Sequence, residues 1–446
     1  MTSNTTYNRS YILRLSLIPA LGGYLFGFDF AVISGALPFL RDQFGLDAWW
    51  EGMTTASLAV GAAIGCLIAG ALSDRYGRRK GLLVAAAIFG LSSLAMALAP
   101  GRDLFITARC IAGVGVGMAS MLSPMYIAEV SPASLRGRMV AINQLTVVSG
   151  ILITNLVNYS LRNNGVEAWR WMFGLGIVPS ALFFAGACWL PESPRWLVKA
   201  GQTPAAIKIL SRIGGPSFAN GSLASIQKTL LPGGRFNYAA VFERAVLPAV
   251  LVGVGLAVFQ QLCGINVVFN YTSIIFSSIG IPRDGQLLQT VFIGGVNLVF
   301  TLAAMMLVDR IGRKPLMLFG AGGLCLLYII VVRLLGSHSG SVSIFLLTAI
   351  GTYALSLAPV TWVLISEIFP NKVRGAATAV AVLSLWAAYF VLIFTFPLLY
   401  QRLKDATFYI YAGVCGIGFL FILLSVKETK GKTLEELEEV MGAHHH

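Results

Sequence analysis

The chain has 446 residues, of which 57% are hydrophobic and only 11% are charged, and its mean hydropathy is +0.78. Soluble domains carry about 25% charged residues, so this composition excludes an ordinary soluble globular protein and indicates a polytopic membrane protein. The formal net charge of +13 raises the question of nucleic-acid binding, and the distribution of the charges answers it.

Twelve segments are long and apolar enough to cross a bilayer, which takes about 20 apolar residues per helix. We number them as spans 1 to 12, and they cover residues 11–37, 52–73, 81–99, 104–127, 138–159, 171–190, 246–278, 286–308, 315–335, 343–366, 376–400 and 407–426. The sequence therefore predicts an all-α membrane protein with twelve transmembrane helices.

Most of the 32 Lys and Arg residues fall on one side of the membrane when the spans alternate in direction. Cytoplasmic loops carry such an excess of positive charge. We therefore expect a multi-pass protein of the cell membrane with both termini in the cytoplasm. Topology accounts for the basic excess, so we expect a lipid bilayer and no nucleic acid as partner.

All six cysteines lie within predicted spans, and the sequence has neither a C-x-x-C pair nor a metal-ligand spacing. We expect no disulfide, no metal and no cofactor. No cleavable signal peptide is expected, because the first charged residues run directly into a full-length span. The three histidines at 444–446 are interpreted as the remnant of a purification tag and are excluded.

Short motifs return in the same order in the second half of the chain. DRYGRRK from Asp74 returns as DRIGRKP from Asp309, EVSPASLRG from Glu129 as EIFPNKVRG from Glu367, and PESPRW from Pro191, more weakly, as KETKGK from Lys427. The repetition predicts two pseudo-symmetric six-helix bundles, residues 1–190 and 245–426. Two repeats around a central cavity near mid-membrane are a common plan of transporters.

The long polar stretch 191–244 joins the two halves and is too charged to cross the membrane. It contains short helical patterns, such as one with Thr203 as N-cap and Pro204 at the first helical position. We expect these short helices on the cytoplasmic face. Residues 427–443, which include the amphipathic stretch TLEELEEVM, are expected beside them.

The repeated motifs place acidic and basic residues at the cytoplasmic ends of the spans. Basic loops alone orient a chain, but that role does not explain the fixed acids or the glycine at the turn. We favour an ion-pair gate that holds the inner ends together in one state and parts in the other. The candidate gate residues are Asp74, Arg75, Arg78, Glu129, Arg136 and Glu192 in the first half, and Asp309, Arg310, Arg313, Glu367, Arg374 and Glu428 in the second.

Several of these motifs together resemble one family. GxxxDRxGRR from Gly70, the two E-x6-RG motifs, PESPRW and the KETKGKTLEEL ending resemble the sugar-porter family of the major facilitator superfamily over nearly the whole chain. The stretches from Gly115 to Glu129 and from Phe259 to Tyr271 look like those of bacterial D-xylose/proton symporters and human glucose facilitators. Lys427 departs from the family, which usually has Pro there.

Span 7 contains the polar stretch FQQLCGINVVFNY, with Gln260, Gln261 and Asn266 around Gly264. Such amides either bond neighbouring helices or bind a ligand, and an amide that both donates and accepts suits a neutral polyhydroxy compound. The resemblance implies sugar contacts at Gln144, Gln260, Gln261, Asn266, Asn297 and Trp362. Trp386 is a second aromatic candidate, although a Trp can equally pack or anchor at an interface.

Three positions leave the identity of the sugar open. Leu385 stands where family members often have Gln or Asn, Asn270 stands where many have Tyr, and Ile151 varies within the family. These changes make the wall of the site more apolar and remove partners for sugar hydroxyls.

Asp29 is the one acid well inside a predicted span, where a charge is unfavourable by several kcal/mol and usually marks function. If span 1 ends near Pro38, Asp29 lies about 14 Å deep, and Arg109 in span 4 lies about 9 Å deep from the same face, so the two could meet. The pair is either a static ion pair or a proton-coupling device that opens and closes. His338 lies near an outer loop and is a poor proton relay.

The sequence thus predicts import of a monosaccharide, such as D-xylose or D-glucose, with a proton by alternating access. The alternatives are a facilitative uniporter, a proton-driven drug or metabolite exporter, and a sugar sensor. Facilitative uniporters of the family tend to have Asn at the position of Asp29. An enzyme has no support, because no nucleophile with a base, metal cluster or nucleotide-binding loop is present. A monomer is expected.

Overall fold

The computed structural model describes residues 7–229, 241–244, 246–337, 340–369 and 373–430, without the side chains of residues 309, 366 and 374. Over these ranges the chain is helical and contains no β-strand. Eleven stretches are long and apolar enough to cross a membrane, and one of them, Gly375–Ser425, holds two spans separated by a short turn at Lys404–Ala406. An all-α fold with twelve spans is therefore confirmed.

Nine of the spans are single helices. They are Arg9–Phe44 (span 1), Ala48–Tyr76 (span 2), Arg78–Ala97 (span 3), Arg102–Val130 (span 4), Ala133–Leu161 (span 5), Arg283–Ile311 (span 8), Arg313–Gly336 (span 9), Arg374–Leu403 (span 11) and Thr407–Ser425 (span 12). The other three are broken: Ala168–Gly174 and Ile177–Trp189 (span 6), Leu247–Leu262, Ile265–Asn270 and Thr272–Ser277 (span 7), and Val342–Leu355 and Leu357–Ile368 (span 10).

The first break in span 7 lies at the expected glycine. Gly264 has φ +86°, a left-handed conformation that glycine adopts without strain. A Cβ at Gly264 would also collide with the ring of Tyr411 in span 12. The glycine therefore both permits the bend and lets the two spans pack. The break in span 10, at Ser356, was not predicted.

Span 1 does not end at Pro38, and that expectation is wrong. Pro38 lies inside the helix, which continues to Phe44 and ends on Gly45 with φ +60°. Proline is tolerated inside membrane helices where neighbouring groups satisfy the freed backbone. Asp29 therefore lies further from the end of its helix than the position of Pro38 suggested.

The spans alternate between two faces, which we name by position. The terminal face carries the start of span 1 at Arg9 and the end of span 12 at Ser425, and the distal face lies opposite. A helix of 6 residues, Pro194–Lys199, and one of 27 residues, Thr203–Thr229, follow span 6 on the terminal face, and the second is kinked at Gly214 and Gly215. The division into domains at residues 190 and 245 stays a prediction, and the stretch TLEELEEVM, the three C-terminal histidines and His338 lie outside the described residues.

The two halves meet at the distal face. The side-chain amide of Asn155 in span 5 donates to the carbonyl oxygen of Thr290 in span 8 at 2.7 Å. The rings of Trp49 in span 2 and Phe394 in span 11 lie 5.7 Å apart, edge to face. These contacts pack spans 2 and 5 of the first half against spans 11 and 8 of the second.

Candidate functional site

Span 1 is fastened closely to span 5. A Cβ at Gly27 would collide with the carbonyl oxygen of Val147, so only glycine permits this approach. The hydroxyl of Thr146 donates to the carbonyl oxygen of Ala20 at 2.6 Å, and the amide of Asn158 donates to that of Ala31 at 3.3 Å. These contacts fix the rotation of span 1 and hence the direction of Asp29.

Asp29 and Arg109 meet inside the first half, as predicted. Both residues are completely buried, and Arg109 Nη1 lies 3.4 Å from Asp29 Oδ1. The other carboxylate oxygen and the Arg109 Nε and Nη2 atoms have no hydrogen-bond partner among the described residues. The guanidinium lies 5.8 Å from the ring centroid of Phe173. The pair is thus close but incompletely bonded, which leaves one carboxylate oxygen open to a proton.

The span 7 amides form a connected hydrogen-bond chain. Asn266 Nδ2 donates to Gln261 Oε1 at 2.5 Å, and Gln261 Nε2 donates to Gln260 Oε1 at 3.2 Å. Gln260 Nε2 in turn donates to the carbonyl oxygen of Ala358 in span 10 at 3.3 Å. Asn270 donates to the backbone of Asn266 at 2.7 Å. We call Gln260, Gln261, Asn266 and Asn270 the amide cluster, and all four are buried.

Aromatic rings from both halves pack together beside the amide cluster, which Tyr389 contacts through Asn270. Trp386 packs edge to face against Phe26 of span 1 at 6.0 Å and against Tyr389 at 5.9 Å. Phe30, the residue after Asp29, packs against Phe269 and Tyr389, each at 5.8 Å. The rings thus connect the span that carries Asp29 to the spans that carry the amides.

The remaining predicted sugar contacts differ in exposure. Asn297 in span 8 is buried, and Gln144 in span 5 is half-buried. Trp362 in span 10 has 44% of its surface exposed, so in this conformation it is open rather than packed. The role of each of these residues stays a prediction.

Arg78 organises the terminal face of the first half. Its guanidinium contacts Glu129 at 3.1 Å and Asp74 at 3.0 Å. Glu192 accepts hydrogen bonds from the backbone N–H groups of Arg78 and Arg79, and Ser193 donates to Glu129. These contacts tie the ends of spans 2, 3 and 4 to the segment after span 6.

The second half repeats this arrangement. Arg313 Nη2 contacts Glu367 Oε1 at 3.1 Å, and the Thr429 hydroxyl donates to Glu367 at 2.6 Å. Glu428 accepts from the backbone N–H groups of Arg313 and Lys314, each at 3.0 Å. Burial raises the pKa of Glu428, but the hydrogen bonds from backbone N–H groups, including that of Lys430, outweigh it and hold the pKa below its ordinary value.

The other candidate gate residues have different neighbours. Arg136 donates to the carbonyl oxygen of Ala128, so Glu129 pairs with Arg78 and not with Arg136. Arg75 stacks over the ring of Tyr76, and the backbone carbonyl of Arg310 accepts from Lys430. The side chains of Asp309 and Arg374 lie outside the described residues. The terminal-face ion pairs given above each lie within one half.

Two buried polar residues, Glu51 and Tyr389, were not identified as candidate site residues from the sequence. Glu51, in the first turn of span 2, is only 5% exposed and pairs with Arg41 at the distal face. Tyr389 is 2% exposed and contacts both Trp386 and Asn270. The spacing of Tyr389 three residues after Trp386, on the same helical face, was the signal available for it.

A family model described as "Sugar (and other) transporter" matches residues 15–441. The chain belongs to this sugar transporter family. The transporter is 36% identical over 445 residues to the arabinose-proton symporter of Bacillus subtilis, covering 98% of this chain and 96% of the relative. It is 39% identical over 462 residues to the glucose transport protein of Synechocystis, covering 98% of each.

The transporter is also similar to a solved structure, the partially occluded inward-open conformation of the xylose transporter XylE from E. coli. The TM-score is 0.86 and the identity 35%, over 95% of this chain and 100% of that one. The major facilitator fold that the motifs implied is therefore confirmed. The protein is a multi-pass membrane transporter and not an enzyme.

Proposed function

We propose that this transporter imports a monosaccharide together with a proton by alternating access. The observation that carries the proposal is the fully buried Asp29–Arg109 pair, in which one carboxylate oxygen has no partner within the described ranges. An acid held inside a membrane span beside a single cation is suited to take up and release a proton. The proton coupling named for the Bacillus relative supports the same assignment.

The pair gives the coupling a physical basis. A proton that binds Asp29 from the outside neutralises the carboxylate and weakens its attraction to Arg109. The two bundles then rock around the bound sugar. On the inner side Arg109 pairs with Asp29 again and displaces the proton, and the return of the empty transporter completes the cycle.

The amide cluster supports a neutral polyhydroxy substrate, a pentose or a hexose. Its members bond to one another, so sugar hydroxyls that donate and accept can replace these bonds one for one. This replacement leaves the number of hydrogen bonds nearly unchanged. The positions of the amides therefore determine which sugar binds best. Leu385 and Ile151, each 5% exposed, add apolar wall.

We place the terminal face in the cytoplasm, in accord with its basic loops. There the repeated motifs form the gate. Arg75 and Arg136 contact a ring and a backbone carbonyl in this conformation, so their charges are available to pair across the two halves when the face closes. The ion pairs around Arg78 and Arg313 keep each half rigid during the motion.

The test is transport by purified protein in liposomes across a panel of pentoses, hexoses and inositol. An imposed proton gradient, acidic outside, is expected to drive accumulation of one or a few of these sugars above equilibrium. Equilibration without accumulation would instead identify a facilitative uniporter. Stabilisation by lipophilic cations but by no sugar in a thermal-shift screen would identify an exporter.

A further inference from the structure

Tyr389 of span 11 lies between the amide cluster and the buried ion pair. Its hydroxyl donates to Asn270 Oδ1 at 3.3 Å. Its ring packs against Phe30, the neighbour of Asp29 in span 1, with centroids 5.8 Å apart. Arg109 and Asp29 lie close enough to Tyr389 for their charges to act on its hydroxyl. Tyr389 therefore contacts the amide cluster, which we propose binds sugar, and lies close to the Asp29–Arg109 pair, which we propose binds the proton.

The environment of Arg109 poses a problem that the ion pair alone does not solve. Its Nε and Nη2 atoms are buried without a hydrogen-bond partner among the described residues. When Asp29 is protonated, the guanidinium also loses its counter-charge. A buried cation without an acceptor is strongly unfavourable, so the protonated state requires another oxygen near Arg109.

The hydroxyl of Tyr389 can supply that oxygen. It uses its hydrogen on Asn270, so its lone pairs are available to accept. Hydrogen bonds in a chain strengthen one another, because a hydroxyl that donates becomes a better acceptor. A sugar hydroxyl that accepts the second amide hydrogen of Asn270 would polarise that amide, make its Oδ1 a better acceptor for Tyr389, and so improve Tyr389 as an acceptor for Arg109.

The charged and titratable groups that interact with Asp29 support this choice. Among the described side chains, Arg109 of span 4 acts on the charge of Asp29, and Tyr389 of span 11 lies close to both residues. Glu51 of span 2, another buried acid, pairs with Arg41 at the distal face. Asn270 stands where many family members have Tyr, so Tyr389 brings a phenolic hydroxyl to this place from a different span.

We propose that Tyr389 is a positioning residue that accepts a hydrogen bond from Arg109 when Asp29 is protonated, and that sugar binding in the amide cluster strengthens this bond. Sugar and proton then favour the same state, as symport requires. The inference rests on the proposed function and names the residue that links its two sites.

Tyr389→Phe removes only the hydroxyl. We expect this variant to lower gradient-driven sugar accumulation about two- to tenfold, because one buried hydrogen bond is lost. Sugar exchange without a gradient should fall by a smaller factor. Asp29→Asn imitates the protonated acid, so in that background Arg109 depends on Tyr389. The double variant Asp29→Asn/Tyr389→Phe is therefore expected to reduce exchange by more than the product of the single effects.

Tyr411→Phe is the matched control. Tyr411 is buried in span 12, and its hydroxyl has no partner among the described residues, so Asp29→Asn/Tyr411→Phe should exchange sugar like Asp29→Asn alone. Exchange by Asp29→Asn/Tyr389→Phe equal to the product of the single effects would overturn the proposal.

A second measurement keeps the test independent of sugar transport. The melting temperature of the purified double variant should fall by more than the sum of the single falls, and that of the Tyr411 control should not. If the wild type moves no sugar, the proposed function fails, while this cycle still tests the bond between Arg109 and Tyr389. Additive melting temperatures would then overturn it.

Discussion

Arg283, at the start of span 8, donates to Asp42, at the end of span 1, at 2.6 Å where the two halves meet at the distal face. The next residue, Asp284, lies 3.6 Å from Arg162 at the end of span 5. Two adjacent residues of opposite charge in the second half thus face two residues of opposite charge in the first. These two ion pairs join the halves at the distal face and favour its closed state.

Reversal of one charge should open that face. The pairs are partly exposed, so each contributes only about 0.2–1 kcal/mol, and Arg283→Asp should change the ratio of closed to open molecules about two- to fivefold. Distances between spin labels at position 166, on the loop between spans 5 and 6, and at position 403, at the distal end of span 11, would report the change in a variant without native cysteines.

The charge swap Asp42→Arg/Arg283→Asp is the control, because it restores attraction with the same residues. It should return the distance distribution towards that of the wild type. A distribution that Arg283→Asp leaves unchanged would show that the ion pair does not contribute to closure.

The stability of the terminal face should depend on pH through Glu428. Its pKa in the folded protein lies below the ordinary value of 4.5 because of the backbone N–H groups that it accepts from. At a pH above the ordinary pKa, the lowered pKa of the folded protein stabilises the fold. This stabilisation is lost as the pH falls through the pKa of the folded protein. Melting temperatures of wild type and Glu428→Gln should therefore differ at pH 6 to 7 and converge below pH 4.5.

Glu167→Gln, at an exposed acid of the distal face, provides the comparison. It should leave the melting temperature close to that of the wild type over the same range. If the difference in melting temperature between wild type and Glu428→Gln stayed constant down to the most acidic pH, the ionised carboxylate of Glu428 would not be the source of the stabilisation.

The amide cluster predicts a large effect at Gln261, which bonds to both Gln260 and Asn266. Gln261→Ala removes both bonds and leaves buried partners unsatisfied, which is unfavourable by about 1–3 kcal/mol. Sugar binding measured by calorimetry should weaken about 5- to 100-fold. Gln202→Ala, at an exposed amide on the terminal face, should bind sugar like the wild type, and equal affinity of the two variants would remove the cluster from the site.

Much of the fold was readable from the sequence because membrane crossing demands long apolar helices. The repeated motifs predicted equivalent positions in the two halves, and there Glu192 and Glu428 accept equivalent backbone hydrogen bonds, while the gate itself stays a prediction. Gly264 marked the bend in span 7, since no other residue adopts its backbone angle without strain. The predicted contact between Asp29 and Arg109 is confirmed, although the depth of Asp29 was measured from Pro38, where span 1 does not end.

Other features depend on tertiary packing that local patterns do not encode. Pro38 is accommodated within span 1, whereas Pro359 follows the break of span 10 at Ser356 by three residues, so a proline alone does not tell whether a helix breaks. Tyr389 becomes important only because spans 1, 7 and 11 converge on it. The two ion pairs that join the halves at the distal face connect residues more than 100 positions apart, so no local motif indicates them.

Proton flux per sugar, measured in liposomes for wild type, Asp29→Asn and the exposed-acid control Asp103→Asn, tests the central claim most directly. We predict that wild type and Asp103→Asn move protons with sugar, whereas Asp29→Asn exchanges sugar across the membrane but moves no protons with it and accumulates none in a proton gradient. Sugar-dependent proton uptake by Asp29→Asn at the wild-type ratio would contradict the account.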